Sequence, residues 1–197
     1  MSKSMEFDAT CRRGLQEAAL WRLLSLYFER PRPGWREQVE ALDAELQKDR
    51  LKEALRSAGQ ADEGVYLRLL GPGGRVSPRE ISYRPLADPA AILADLKAYY
   101  EAFAYSPQTE EPPDHISTEL GFAGFLRLKQ VYAESEGNPQ AAELCREALE
   151  RFLETHLLDF ASAFVQKVSA CPDSYLMSPV QALLYFLKRD DLEALVL

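Results

Sequence analysis

The sequence predicts an all-α protein, a single-domain orthogonal bundle of roughly eight to ten helices. Three observations predict it. Apolar residues recur at three- and four-residue intervals through most of the chain, no segment sustains the two-residue alternation of a half-buried strand, and Gly, Pro, Asn and Asp cluster between the periodic runs. With 197 residues, 47% of them hydrophobic, the chain is long enough to bury one substantial core. Apolar heptads do not persist, which favours crossing helices over a long coiled-coil seam.

Leu15, Ala18, Ala19, Leu23, Leu26 and Tyr27 mark a first helix from about Asp8 to Glu29, stopped by Pro31-Arg32-Pro33-Gly34. Trp35, Val39, Leu42 and Leu46 share one face of a second helix, and Leu51 and Leu55 suggest a short third. Asp62 is placed to cap a helix carrying Val65, Tyr66, Leu69 and Leu70. Gly71-Pro72-Gly73-Gly74 then opens an irregular stretch to about Asp88, of a length that is usually functional or mobile. Asp88-Pro89 reads as an N-cap with Pro in the first helical position, ahead of the stripe Ile92, Leu93, Leu96, Tyr99, Tyr100 and Phe103. Asp114 is placed to cap the next helix, with Ser117 as a later alternative, and Leu120 to Tyr132 carry it on. Gly137-Asn138-Pro139 is a turn. The run from Gln140 to Val168 is long for a globular helix, so a bend is expected near Thr155-His156. Cys171-Pro172-Asp173-Ser174 breaks it, and a last helix holds Val180, Leu183, Leu184 and Leu187, with Pro179 starting or kinking it.

The formal net charge of -8 argues against nucleic acid and against an anionic membrane surface as partners, and suits a basic one. Cys11, Cys145 and Cys171 are odd in number and widely spaced, with no CxxC pair, as in a reducing compartment. The first thirteen residues lack an apolar core, and no apolar run approaches the ~20 residues of a membrane span. A cytoplasmic protein is expected.

Few constellations offer chemistry. His115 and His156 are the sole histidines and stand in no metal-binding spacing; Gly71-Pro72-Gly73-Gly74-Arg75 lacks the Lys-Ser/Thr of a phosphate loop; and no G-x-S-x-G elbow occurs. No cofactor is expected. His156, between Phe152 and Phe160 on an apolar face, reads as a core-edge histidine bonded to a carbonyl or carboxylate.

The informative stretch is Glu110-Glu111-Pro112-Pro113-Asp114-His115-Ile116-Ser117-Thr118-Glu119-Leu120. From Ala98 to Leu126 there is no Lys or Arg, yet there are five carboxylates, Glu101, Glu110, Glu111, Asp114 and Glu119. Two prolines hold the approach, and an imidazole at a helix N-terminus is disfavoured as a cation, so a neutral His115 is expected. A rigid helix start explains these residues on its own. Two further readings stay open: an acid/base pair of His115 with Asp114 or Glu119, or an acidic-rimmed groove walled by Tyr99, Tyr100, Phe103, Tyr105, Phe122 and Phe125 that takes a peptide with basic and apolar parts.

Glu111-Pro112-Pro113-Asp114-His115 resembles the E-P-x-D-H motif of the TorD/DmsD/NarJ family of redox-enzyme maturation chaperones. Other landmarks follow in family order. Leu26-Tyr27 ahead of Pro31 is similar to the L-Y-x-x-P helix end, at a longer interval, and Tyr66 to Gly73 resembles Y-x-x-L-F-x-G-P-G with one residue fewer before the glycine. Pro78 to Tyr83 resembles P-x-E-S-x-Y with the Ser shifted, and Phe152 to Phe160 resembles F-x-x-x-H-L-x-x-W with Phe for Trp.

The resemblance implies an all-helical cytoplasmic chaperone, not an enzyme and without an obligatory cofactor. Its implied partner is the apo-form of a molybdopterin-containing oxidoreductase subunit, bound through its twin-arginine leader or N-terminal region while cofactor is inserted and export is delayed. It implies a hinge at about 105–114 between N- and C-terminal parts of one domain, and a monomer or a helix-exchanged dimer. It nominates Asp114 and His115 for leader binding, with Glu111, Pro113, Glu119 and Tyr83 completing the peptide-binding set. The alternatives are a helical enzyme using His115 with Asp114 or Glu119, and a structural subunit of the redox complex.

Overall fold

A computed structural model describes residues 9–46, 61–171 and 175–187. In chain order the elements are α1 (Ala9–Phe28), α2 (Trp35–Leu46), α3 (Glu63–Leu69), a 3-10 turn (Glu80–Tyr83), α4 (Pro89–Ala102), α5 (Ile116–Ser135), α6 (Pro139–Phe152), a π-turn (Leu153–Leu157), α7 (Leu158–Ser169) and α8 (Met177–Leu187). The protein is all-α, as its periodicity predicts. The helix count runs lower than expected: α6, the π-turn and α7 are continuous, leaving seven separate rods among the described residues. The short helix expected around Leu51 and Leu55 lies outside those residues.

Local chemistry sets the helix ends. The Asp62 carboxylate accepts from Val65 N–H at 2.8 Å, Asp88 from Ala90 N–H at 2.9 Å ahead of Pro89, and Asn138 from Ala141 N–H at 3.1 Å ahead of Pro139. Each satisfies an N–H that a helix start leaves unpaired, worth about 1 kcal/mol. Gly137, with φ of 69°, turns the chain between α5 and α6 in a conformation that a side chain would strain. The long apolar run is interrupted near His156 by the π-turn, where one wider turn re-registers the buried face so that Phe152, His156, Phe160 and Phe164 are all buried.

α5 is the central helix, packed along α1 on one side and α6 on the other; α1 also meets α2, and α7 meets α8. One cluster of buried apolar side chains draws on every helix, from Leu23 and Trp35 through Leu96 and Phe122 to Phe164 and Leu183. α1 and α5 approach closely because small residues face each other. A Cβ on Gly124 would stand 2.9 Å from Trp21 Cβ and 3.1 Å from the Ala18 carbonyl. A Cβ on Gly121 would meet the Tyr105 hydroxyl at 2.6 Å, and Ser25 Oγ donates to the Ser117 carbonyl at 2.8 Å across the same seam. At its far end the buried Glu17 is held by Arg127 of α5 at 2.7 Å. No described helix is long and apolar enough to cross a membrane.

Gly124→Val is therefore expected to lower the unfolding free energy by about 3 kcal/mol, the upper end of overpacking costs, although valine is the better helix former. Urea denaturation of the variant against wild type measures this.

Candidate functional site

Two sequence-distant segments meet at the start of α5. Glu80 N–H donates to the Asp114 carbonyl at 2.8 Å and Ile116 N–H to the Pro78 carbonyl at 2.9 Å, forming an isolated antiparallel bridge between Arg79 and His115. His115 N–H closes a turn onto the Pro112 carbonyl at 3.0 Å. This turn corrects the expected cap. α5 begins at Ile116, so the capping position is His115, and its Nδ1 accepts from Ser117 N–H at 3.2 Å. Asp114 points the other way. Fully buried, it takes Arg79 Nε at 2.5 Å on one oxygen and Ile81 N–H at 3.5 Å on the other.

The His115 ring has a defined tautomer on hydrogen-bond grounds. Since Nδ1 accepts, the proton sits on Nε2, which donates to the Tyr66 hydroxyl at 3.2 Å; that hydroxyl donates to Glu111 Oε1, also at 3.2 Å. Burial, aided by the positive charge of Arg79, lowers the His115 pKa from 6.5 to about 3. The imidazole is neutral, as expected from its place at a helix N-terminus. Burial, with Glu111 second, pushes the Tyr66 phenol up, so it remains a donor.

Behind this turn lies a buried cluster of acids. Glu80 and Glu119 are fully buried. Arg84 pairs with Glu80 at 2.7 Å and reaches the carbonyls of Thr155 and His156 in the π-turn. His156 is a core-edge histidine bonded to carboxylates: Nδ1 faces Glu80 at 3.1 Å and Nε2 faces Asp95 of α4 at 3.0 Å. No N–H or other external donor reaches either Glu119 oxygen. Burial, then the charges of Glu80 and Asp114, push its carboxyl well above the usual range against a smaller opposing pull from Arg84. A carboxyl shifted this way favours its neutral form, the form that a buried site without donors tolerates best.

In front, a cleft of about 410 Å³ opens between the end of α3, the Gly71–Gly74 loop and the Glu110–His115 turn. Glu111 and His115 line it. Asp114, Glu119 and Pro113 do not: the first two face the buried cluster, and the Pro113 carbonyl takes the Tyr100 hydroxyl at 2.7 Å. Tyr83 is also outside the cleft. Its hydroxyl donates to the Ser77 carbonyl at 2.7 Å, and its ring packs on Phe160 under the Lys167 ammonium. The six aromatics do not form one groove. Phe122 and Tyr100 are buried among Tyr105, Phe103 and Phe152, while Tyr99 and Phe103 help line a separate groove of about 540 Å³ between α4 and α6.

The site's missing cations come from elsewhere in the chain. Arg79 serves Asp114, Arg32 pairs with Glu110 at 3.0 Å, and Arg30 pairs with Glu63 at the start of α3. Tyr66 read from the sequence as a core position of α3; its hydroxyl is the part that matters here. His115 with Asp114 or Glu119 is not assembled as an acid/base pair, because Tyr66, Ser117 and Glu111 occupy the ring's surroundings.

This geometry defines a helical protein with an open, mixed-charge cleft over a locked, neutral histidine, and no catalytic dyad among the described residues. The nitrate reductase delta subunit family model matches residues 32–166, and the chain belongs to that family. It is 34% identical over 118 residues to the selenate reductase assembly chaperone protein of Thauera selenatis, and equally to the chlorate reductase assembly chaperone protein of Ideonella dechloratans. The match covers 57% of this chain and 60% of the length of each relative. No solved structure matches.

Two consequences are measurable. Asp114→Asn leaves Arg79 facing a neutral group, and since that arginine is one-third exposed the cost is expected at about 2–3 kcal/mol, below that of a fully buried pair. Chemical denaturation at pH 7 reads it. For Glu119 the raised folded-state pKa means that its stabilising contribution is present at acidic pH and lost as pH rises above 4.5 through the folded-state value. Glu119→Gln, which cannot ionise and keeps the size of the side chain, is expected to flatten that decline in thermal unfolding between pH 5 and 9. His115 acts with the opposite sign: its lowered pKa costs stability as pH falls from 6.5 towards 3, and this slope remains in the variant.

Proposed function

We propose that this protein is a cytoplasmic assembly chaperone for the catalytic subunit of a molybdenum oxidoreductase, and that the cleft over His115 binds the leader or N-terminal region of that subunit. The observation that carries the reading is the cleft itself. It is open, walled by a pinned histidine, the Gly71–Gly74 backbone and the side chains of Glu110 and Glu111, and it suits a segment more than a small substrate. The names of the two relatives, assembly chaperones of selenate and chlorate reductases, support the same class. Peptide recognition asks for preformed polar groups at fixed positions, and both nitrogens of His115 are fixed by Ser117 and Tyr66. Enzymatic use of His115 would require a ring free to take and return a proton near neutral pH, and burial opposes that.

The roles divide by exposure. Glu110 and Glu111 meet the basic part of the bound segment; Asp114, Glu119 and Pro113 hold the turn that presents them. Charge at an exposed rim contributes more to encounter and register than to affinity. Glu111→Gln preserves shape and the contact with Tyr66, and it is expected to weaken binding of a short synthetic peptide bearing an Arg-Arg pair ahead of an apolar run by about tenfold. Calorimetry at low salt measures it. An unchanged affinity for Glu111→Gln, in a protein whose wild type binds the peptide, would remove this carboxylate from the site. Absence of wild-type binding would remove the cleft reading altogether.

A further inference from the structure

Between Ala98 and Leu126 the chain carries no basic residue, so the Glu110–Glu111 rim should stand as uncompensated negative charge. It does not. Arg30 and Arg32, flanking Pro31 in the loop between α1 and α2, both line the cleft. Arg30 bonds Glu63, and Glu111 and Glu110 also lie in its field; Arg32 Nη2 sits 3.0 Å from Glu110 Oε2. The loop backbone is anchored independently of these contacts. Trp35 N–H donates to the Arg32 carbonyl at 3.0 Å, and the buried Trp35 indole donates to the Leu26 carbonyl at 2.7 Å. The guanidinium groups are partly exposed, 40% for Arg30 and 37% for Arg32, and their partners more so, at 52% for Glu63 and 82% for Glu110. Such pairs exchange readily with water and with other cations.

We propose that Arg30 and Arg32 form an internal counter-ion strap, Arg32 paired with Glu110 on the rim of the cleft and Arg30 held beside it on Glu63, which is displaced by the basic part of a client segment. The strap rests on the cleft reading above and adds its regulation. It holds the rim paired until a ligand offers cations of its own, so an isolated basic side chain competes poorly and a paired one, backed by an apolar run, competes well.

The test is calorimetric titration of the Arg-Arg peptide into wild type, Arg30→Gln/Arg32→Gln, and a control, Arg36→Gln/Arg146→Gln, which removes the same charge outside the cleft. The strap variant is expected to bind about fivefold tighter at low salt, the sum of two exposed pairs. That gain should vanish near 1 M salt, where screening acts over about 3 Å. Arg32→Gln alone, which touches only the exposed Glu110, should give part of the gain and guards against a folding effect in the double variant. Equal or weaker binding by the strap variants, or the same gain in the control, overturns the strap while leaving the cleft reading intact. A wild type that does not bind the peptide overturns both.

Discussion

The structure depends on a short pairing of backbone that neither segment could make alone. Pro78 to Ile81 and Asp114 to Ile116 exchange two hydrogen bonds, and this bridge brings Arg79 onto Asp114 and the Glu80 side chain beneath the start of α5. A buried carboxylate is tolerated only where donors meet it, and Asp114 has a guanidinium and a backbone N–H within reach. The bridge also closes the irregular stretch after Gly74 against the central helix, so the cleft inherits a rigid wall from a region without long secondary structure. α5 in turn is held by the close contact of Gly121 and Gly124 with α1.

Polar groups in the interior are arranged as a shared set rather than as separate pairs. Glu80 receives Arg84 and faces His156, and His156 reaches on to Asp95 beside the α4–α6 groove. Arg84 thus ties the π-turn carbonyls to Glu80, whose own backbone N–H bonds the Asp114 carbonyl just ahead of α5. The π-turn has a role in this. By adding a residue to one turn it aims His156 inward and leaves the Thr155 and His156 carbonyls for Arg84. Tight satisfaction of buried polar groups favours one arrangement of the core over its competitors, because each alternative leaves a charge or a donor unmatched.

Much of this was legible in the chain. Asp62, Asp88-Pro89 and Gly137-Asn138-Pro139 announce helix ends by chemistry that acts within three residues, and all three act as read. The stretch around Asp114 was legible as a rigid helix start, but the cap was assigned one residue early. Spacing alone does not say whether a carboxylate turns towards its own helix or towards an arginine 35 positions back. The acidic stretch hides its compensation for the same reason: Arg32, which pairs with Glu110, and Arg79, which pairs with Asp114, lie far away in sequence. The expected single aromatic groove failed because helical periodicity places Phe122 and Tyr100 on a buried face without showing which neighbour covers it.

The sequence by itself determined the all-α class, the helix boundaries with strong punctuation, the interruption of the long helical run near His156, and the rigid helix start at Glu111–His115. These follow from short-range sterics, capping and periodicity, which are properties of neighbouring residues. Only the tertiary structure decided which carboxylates face the cleft and which are buried, which nitrogen of His115 carries the proton, and where the compensating arginines sit. Those outcomes depend on burial and on charges brought together across the chain, and a Coulomb or hydrogen-bond partner has no sequence address until the helices have packed.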